Sequence, residues 1–375
     1  MVFMVRVAQV IGGGIGGLAA GACLARRGWH VTIHERNKEL REVGAGIFLK
    51  ENSIKVLEEL DCFEAVVANG SRLVRSEIRN RSGKPILARN ISSERVYTVL
   101  REDLHRELAK AAVRWGAVIR TDSEIGHVHP SGVLETRNET IKSDLIVGAD
   151  GLGSLTRKLA GLEIRSSRMP NGSTRILVPR AEGDHSGGSI ELWRGHKRVM
   201  IVPVGTATMY ICATCREDDQ RAVNLPIDVS YWAAEFPEFE SLFTRAVSAT
   251  AVHHAHGSVR VRGWHNGRIA ILGDAVHGQP PNLGQGAGLA IANSGGLANQ
   301  LAVDDDTRIA LANWEASCRP MTEAVQRWSE KWDYFVHGWP LALESCRSTI
   351  IWTLANLPPT QRHWGAIYRG QWSAT

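Results

Sequence analysis

Three glycine-rich stretches and a cluster of arginines are the residues of this 375-residue chain whose types and spacing could do chemistry. Gly12, Gly14 and Gly17 form G-x-G-x-x-G, with Ile15 and Gly16 inside it, between a strand-like run, Val5 to Ile11, and a helical one, Leu18 to Arg27. Glycine at that junction permits a tight turn and a close approach of backbone to ligand, and the free N–H groups of the helix start favour a pyrophosphate. A second strand, His30 to His34, ends at Glu35-Arg36, where a carboxylate can accept the ribose hydroxyls of an adenosine half. This loop does not decide between NAD and FAD, because both carry ADP.

Gly273-Asp274, in ILGDAVHGQPPNLGQGAGLAIAN, makes the choice. A strand ending in Asp274 suits a ribityl hydroxyl chain. Gly284 to Gly288, which include Gly286 and Ala287, lead into a helix whose positive N-terminus suits the N1–C2=O edge of a reduced flavin, worth up to about 2 kcal/mol. A nicotinamide needs no such feature. His277 lies in this motif, with a positional role expected ahead of proton transfer, and Pro281 lies in the loop that follows it.

Arg165, Arg168, Arg175, Arg180, Arg194 and Arg198 make the middle of the chain locally basic. Most are expected on solvated faces. One or two that face inward could hold a carboxylate bidentately. Arg198, in the alternating strand RVMIVPV, is the first choice, with Arg180 and Arg175 behind it and Tyr210 on the next strand at the other end of a small ring. The alternative is that these are ordinary sheet residues. Cys212-x-x-Cys215 invites a zinc or redox reading, but residues three apart on a strand face opposite sides and no second ligand pair lies at zinc spacing, so no metal is expected. His253, His254 and His256 are read as solvated or core-edge histidines.

The elements that must position these groups alternate in a recognisable order. After the first βαβ unit come a helix, Asn52 to Leu60, a polar alternating stretch, Ser76 to Glu94, and a helix, Glu102 to Arg114. Ser143 to Ala149 is a buried strand that runs into Asp150-Gly151. Short alternating segments fill Gly161 to Gly263; RIAILGDAVH and a helix, Gly288 to Leu301, then restore the first pattern. The expected fold class is therefore α/β: a Rossmann-like FAD-binding domain (1–75, 98–160 and 264–325) interrupted by a β-rich substrate domain (76–97 and 161–263). A helical, tryptophan-rich C-terminal cap (326–375) follows.

Composition narrows the function classes. Forty-four basic against 39 acidic residues give +5 with mixed signs throughout, so no nucleic-acid surface is expected. No run approaches the roughly 18 apolar residues needed to span a bilayer, so no membrane role is expected. Six thinly spread cysteines, with no secretory leader, make the cytoplasm the default compartment.

Taken together, G-x-G-x-x-G with Glu35-Arg36, Asp144 to Gly151 with Ser154 and Arg157, and Gly273-Asp274-Ala-x-His277 with Pro281 and Gly286 resemble the three motifs of the single-component FAD-dependent aromatic hydroxylases. The resemblance implies a para-hydroxybenzoate hydroxylase-like fold with FAD under the first and third motifs. It also implies Arg101, in an R-x-x-L setting, near the ribityl chain, and Asp150 at FAD and NAD(P)H contacts. NAD(P)H would reduce the flavin, O2 would add at C4a, and the hydroperoxide would attack an electron-rich ring. Glu39 to Arg41, Gly44 to Ile47, Arg175 to Arg180 and Arg198 to Tyr210 are most similar to the pyridine-carboxylate oxygenase branch, and more distantly to 6-hydroxynicotinate and salicylate hydroxylases. Phe48 stands where that branch carries Tyr or His, so a hydroxyl or imidazole role at this substrate-lining position is absent. The implied substrate is a small hydroxylated aromatic or N-heteroaromatic acid, with hydroxylation and ring opening both left open and a homodimer compatible with the reading. The rivals are a flavin halogenase, whose W-x-W-x-I-P segment is missing, and a non-oxygenating electron-transfer flavoprotein.

Overall fold

The computed structural model describes residues 5–42 and 45–357. Met1 to Met4, Val43-Gly44 and the end of the expected cap, with Trp364 and Trp372, lie outside the described residues.

The apolar run Val7–Ile11 is the hub of a six-stranded sheet. It pairs in parallel with His30–His34 on one side and Leu145–Gly148 on the other. Val118–Arg120 and Ile269–Ile271 extend the sheet in parallel, and His265–Asn266 closes one edge antiparallel. Near-continuous apolar strands of this kind belong in a sheet covered on both faces. Helix Ile15–Arg26 packs against Arg101–Arg114 and against Gly286–Val303. A side chain at Gly21 of that helix would lie 2.4 Å from Ile33 Cδ1, so glycine sets how closely helix and sheet approach.

The second layer is a seven-stranded sheet in the order Ala251–Val261, Glu163–Pro179, Thr208–Arg216, Lys197–Val204, Gly188–Arg194, Arg75–Arg79, Pro85–Asn90. Its pairings are antiparallel except that Gly188–Arg194 runs parallel to Arg75–Arg79. Period-two alternation gives it two different faces. One carries Ile176, Ile190, Val199, Ile211 and Cys215 and packs beneath Trp232, Phe236 and Phe243 of a short helical layer. The other faces the first domain. Cys212 and Cys215 thus lie on opposite faces, as their spacing requires, and among the described residues no group of three or more His, Cys, Asp or Glu side chains is placed to hold a metal ion.

Two small sheets lay outside the reading of the sequence. Gly46–Leu49, Tyr97–Leu100 and Ser71–Arg72 form a bridge between the layers. Ile125–His129, Val133–Thr136 and Thr140–Lys142 form a polar meander whose short strands carry little apolar periodicity. Helix Thr307–Asp333 runs unbroken through position 325/326, where the cap was expected to begin. Its tryptophans tie the layers together: Trp314 packs edge-on against Trp264 at 5.2 Å, and Trp332 against Trp193 at 5.3 Å. Trp352, farther along, is 55% exposed. No helix among the described residues is long and apolar enough to cross a membrane.

Candidate active site

A cavity of about 550 Å³ lies between the two layers, walled by all three glycine-rich motifs and floored by the seven-stranded sheet. On the first-domain side, Gly14, Ile15 and Gly16 line it. A Cβ on Gly14 would meet no atom within 4 Å, so the space in front of this backbone belongs to a ligand. The start of helix Ile15–Arg26 has no side-chain cap, which leaves its first N–H groups for that ligand. Gly12 and Gly17 do not line the cavity. They serve the turn itself: Gly12 has φ +107°, and a Cβ on Gly17 would lie 1.9 Å from the Gly12 carbonyl oxygen.

Glu35 and Arg36 lie outside the cavity lining. Glu35 accepts from Gly13 N at 2.9 Å and from the Asn37 backbone and side chain at 2.9 and 2.7 Å, so it braces the loop's outer edge. Arg36 is exposed. Asp150 is also a brace: it accepts from Ser154 Oγ and from Thr156 N and Oγ1, and so sets the start of helix Leu155–Leu159. Its neighbours Ala149, Gly151 and Leu152 reach the cavity instead. Arg101 does line it, ion-paired with Glu42.

The third motif supplies Gly273, Asp274, Pro280, Pro281, Asn282, Gly286 and Ala287 to the wall. Gly286, first residue of the helix Gly286–Val303, also has open space where a side chain would be, and Gln285 before it makes no side-chain cap. These two uncapped helix starts and two side-chain-free cradles fit a flavin dinucleotide. His277 departs from expectation. It is 1% exposed, is absent from the cavity lining, and burial lowers its pKa against the pull of Asp274. The single turn Asp274–His277 sends its ring inward, behind the wall.

The floor is ordered by strand register into rows. The first holds His254, Ser173, Thr214 and Arg198; the second Arg175, Cys212, Met200 and Glu191; the third Leu177, Tyr210 and Val202. Arg198 is 3% exposed, donates from Nε to Thr214 Oγ1 at 3.1 Å, and lies 3.5 Å from Glu191 Oε1. Arg175 has no carboxylate within 4.0 Å among the described residues. Burial works against its charge, but Tyr210, Cys212 and Asp274 nearby offset this and hold its pKa above the ordinary value. Burial likewise pushes the Tyr210 phenol up, so it stays a donor. Arg180 does not line the cavity: the strand ends at Pro179, and Arg180 lies beyond it, its N–H bonded to the Ala207 carbonyl. Phe48 lines the wall against Gly284.

Among the other lining residues, Lys50 carried no signal in the sequence, and His254 and His256, read there as solvated or core-edge histidines, line the cavity instead. Lys50, 5% exposed, donates to the Leu283 carbonyl at 2.8 Å, and burial lowers its pKa to about 7. His256 lines the cavity, with Nε2 2.6 Å from Ser173 Oγ and Nδ1 3.3 Å from Asp333 Oδ1. Asp333, 1% exposed on the C-terminal helix, also accepts from Asn171 Nδ2 at 2.6 Å and Asn282 Nδ2 at 3.1 Å. Burial alone would raise its carboxyl, but these donors and the neighbouring His337 hold it well below the usual range. The same helix bonds the motif-three loop through Ser329 Oγ to the Pro280 carbonyl at 2.6 Å and Gln326 Nε2 to the Gly278 carbonyl at 2.9 Å.

A dinucleotide cradle that opens onto a ring-sized, half-polar chamber floored by a separate sheet defines a flavin-dependent oxygenase. The chain belongs to the family described as FAD binding domain, whose model matches residues 4–329. It is 35% identical over 334 residues to a probable 2-heptyl-3-hydroxy-4(1H)-quinolone synthase of Rhodococcus erythropolis, covering 86% of this chain and 87% of that one. A 2-heptyl-3-hydroxy-4(1H)-quinolone synthase of Mycobacteroides abscessus is 32% identical over 328 residues, covering 85% and 88%. The solved structure of 2-methyl-3-hydroxypyridine-5-carboxylic acid oxygenase superposes with a TM-score of 0.85 at 29% identity, covering 96% of each chain. The chain is an FAD-dependent monooxygenase of the aromatic hydroxylase type that draws electrons from NAD(P)H, and its fold is the two-layer one expected. The halogenase rival finds no support among these relatives.

Proposed function

We propose that this enzyme hydroxylates an N-heteroaromatic ring bearing an acidic oxygen, and that Arg175 holds that oxygen. The observation that carries the reading is the pairing on the floor. Arg198 is already engaged with Glu191 and Thr214, whereas Arg175, one row nearer Tyr210, keeps a guanidinium for an incoming anion. FAD, when bound, activates O2 for transfer of one oxygen atom to the ring. The chain's own part is to hold the ring between Arg175 and Tyr210, to keep the phenol of Tyr210 protonated as a donor, and to exclude water with Phe48, Met200 and Trp332. A cytoplasmic setting belongs to the same proposal, since NAD(P)H is consumed and the six cysteines are free thiols.

The test is a flavin-absorbance titration of the holoenzyme with 2-methyl-3-hydroxypyridine-5-carboxylate and 2-heptyl-4(1H)-quinolone. Truncating one partner of a closed, charge-assisted contact costs about 2–5 kcal/mol, so Arg175→Gln should raise Kd at least about thirty-fold for the true substrate class. Arg198→Gln should act first on stability, because it leaves the largely buried Glu191 carboxylate without its cation and with only the Trp193 indole N–H donating to it. An unchanged Kd in Arg175→Gln would remove Arg175 from the anchor position and return Arg198 to it.

A further inference from the structure

The outer strand of the floor, Ala251–Val261, carries three histidines, and two of them are committed. His253 lies off the cavity lining and holds Thr174 Oγ1 and Glu217 Oε1 at 2.8 Å each. His256 is tied to Ser173 and faces Asp333. His254 points to the other side from His253, as period-two alternation requires, and lines the cavity. It is exposed, and its ring makes no hydrogen bond or ion pair among the described residues. Register sets His254 opposite Ser173, with Arg175 two residues along the facing strand. Diagonal neighbours of this kind lie roughly 7–8 Å apart, so one oxygen atom between them can touch both side chains.

The other ionisable groups on the lining are already engaged. Glu42 faces Arg101, Glu77 faces Arg75 and Arg79, and Glu191 faces Arg198. Lys50 donates to the Leu283 carbonyl, Tyr210 keeps its proton, and Asp274 of the third motif acts on Arg175. Burial first, and then Arg175, His253 and Arg101, hold His254 below the ordinary histidine pKa. At neutral pH it is therefore a neutral imidazole with one acceptor nitrogen to offer.

We infer that His254 is the base of this site, taking the proton from the substrate's acidic oxygen as that oxygen settles on Arg175. The O–H bond breaks and an N–H bond forms on the imidazole. The electron pair stays with the ring, which becomes the stronger nucleophile for oxygen transfer. The new anion offsets the guanidinium of Arg175, so the imidazolium beside it is stabilised while the anion is in place. A monooxygenase passes one atom of O2 to the ring and the other to water, and the proton held on His254 is one of the two that this water carries. The inference rests on the proposal that the oxygen is anchored at Arg175. It gives the arginine the anchoring and the histidine the proton.

The experiment adds 2-methyl-3-hydroxypyridine-5-carboxylate, or 2-heptyl-4(1H)-quinolone if that binds more tightly, to the oxidised holoenzyme at neutral pH without NAD(P)H. The near-ultraviolet band of the bound ring reports its ionisation, and an indicator dye reports protons released. The wild type should show the band of the ring anion with no proton released, because the proton stays on His254. In His254→Gln the ring should bind in its protonated form. Product formation by that variant should fall at least about a hundred-fold and recover by about ten-fold per unit of rising pH, as more of the ring arrives ionised. A protonated ring on the wild type, one proton released per ring bound, or an anion that persists in His254→Gln overturns the inference, as does a loss of rate that rising pH does not restore. The wild-type readings decide the matter if His254→Gln does not retain FAD. If the ring stays protonated while binding depends on Arg175, only the base falls; if it ionises without proton release while Arg175→Gln leaves Kd unchanged, only the anchor falls.

Discussion

Gly14→Val separates what the ligand needs from what the fold needs. Gly14 has φ −78° and ψ −179°, extended backbone open to valine, and its missing Cβ would touch nothing within 4 Å. The local cost is a poorer N-cap, about 1 kcal/mol or less. The cradle, however, would be filled where a pyrophosphate must approach the helix start. With FAD at a hundred times its Kd, the wild type should gain about 2.7 kcal/mol of stability by mass action, and Gly14→Val should gain none. Gly17→Ala is the contrast: its Cβ would sit 1.9 Å from the Gly12 carbonyl oxygen, so this variant should unfold more easily whether or not FAD is present. Asp274→Ala should lie between, losing one or two hydrogen bonds to the ligand, about 1–3 kcal/mol, and so should bind FAD more weakly but still become yellow at saturation. The assay is thermal unfolding with and without FAD, together with the flavin absorbance of the purified protein. Gly14→Val that purifies with stoichiometric FAD and shows the wild-type stabilisation would refute the placement of the dinucleotide.

Acid should destabilise the first domain through His34, which is bonded to Gln9 and Ser123 at 2.8 Å each and held by burial at a pKa of about 4. The unfolded chain takes up that proton first. Stability present above about pH 6.5 is therefore lost as the pH falls toward 4, by up to about 3 kcal/mol, and His34→Gln should flatten this part of a melting curve taken against pH. The chain has one G-x-G-x-x-G, so NAD(P)H should dock transiently, with reduction faster when the aromatic substrate is present. Stopped-flow reduction at equal rates with and without substrate would contradict this.

The parts of the site that were legible in the sequence are those made by local chain. Gly14, Asp274 and Gly286 announce themselves through the turn and helix start they occupy, and the alternation in RVMIVPV already says which residues share a face with Arg198. What was not legible depends on how strands align with one another, across a hairpin or across the chain. Nothing near Arg198 in the chain says that Glu191 will sit beside it; the hairpin alignment does that. Arg180 reads like its neighbours until the strand is seen to stop at Pro179. Asp333 meets Asn171 across 162 residues, and His256 follows an irregularity in pairing between Arg168 and Gly172 that no periodicity reports.

The strand order of the parallel sheet also constrains how the molecule is made. Val7–Ile11 and Leu145–Gly148 are neighbours, but the strand that covers the far edge of Leu145–Gly148 is Ile269–Ile271. At typical rates of synthesis the ribosome needs on the order of ten seconds to add the intervening chain. Throughout that interval a wholly apolar strand, LIVG, has one unpaired side, an edge to which another nascent chain could add. Five of the seven strands of the second sheet are encoded within this gap and the other two before it, so one domain is completed while the other waits for its last strand. Slower decoding between residues 149 and 268 should therefore lower the yield of native protein from a sequence that is unchanged, a liability of the interrupted topology and of none of its contacts.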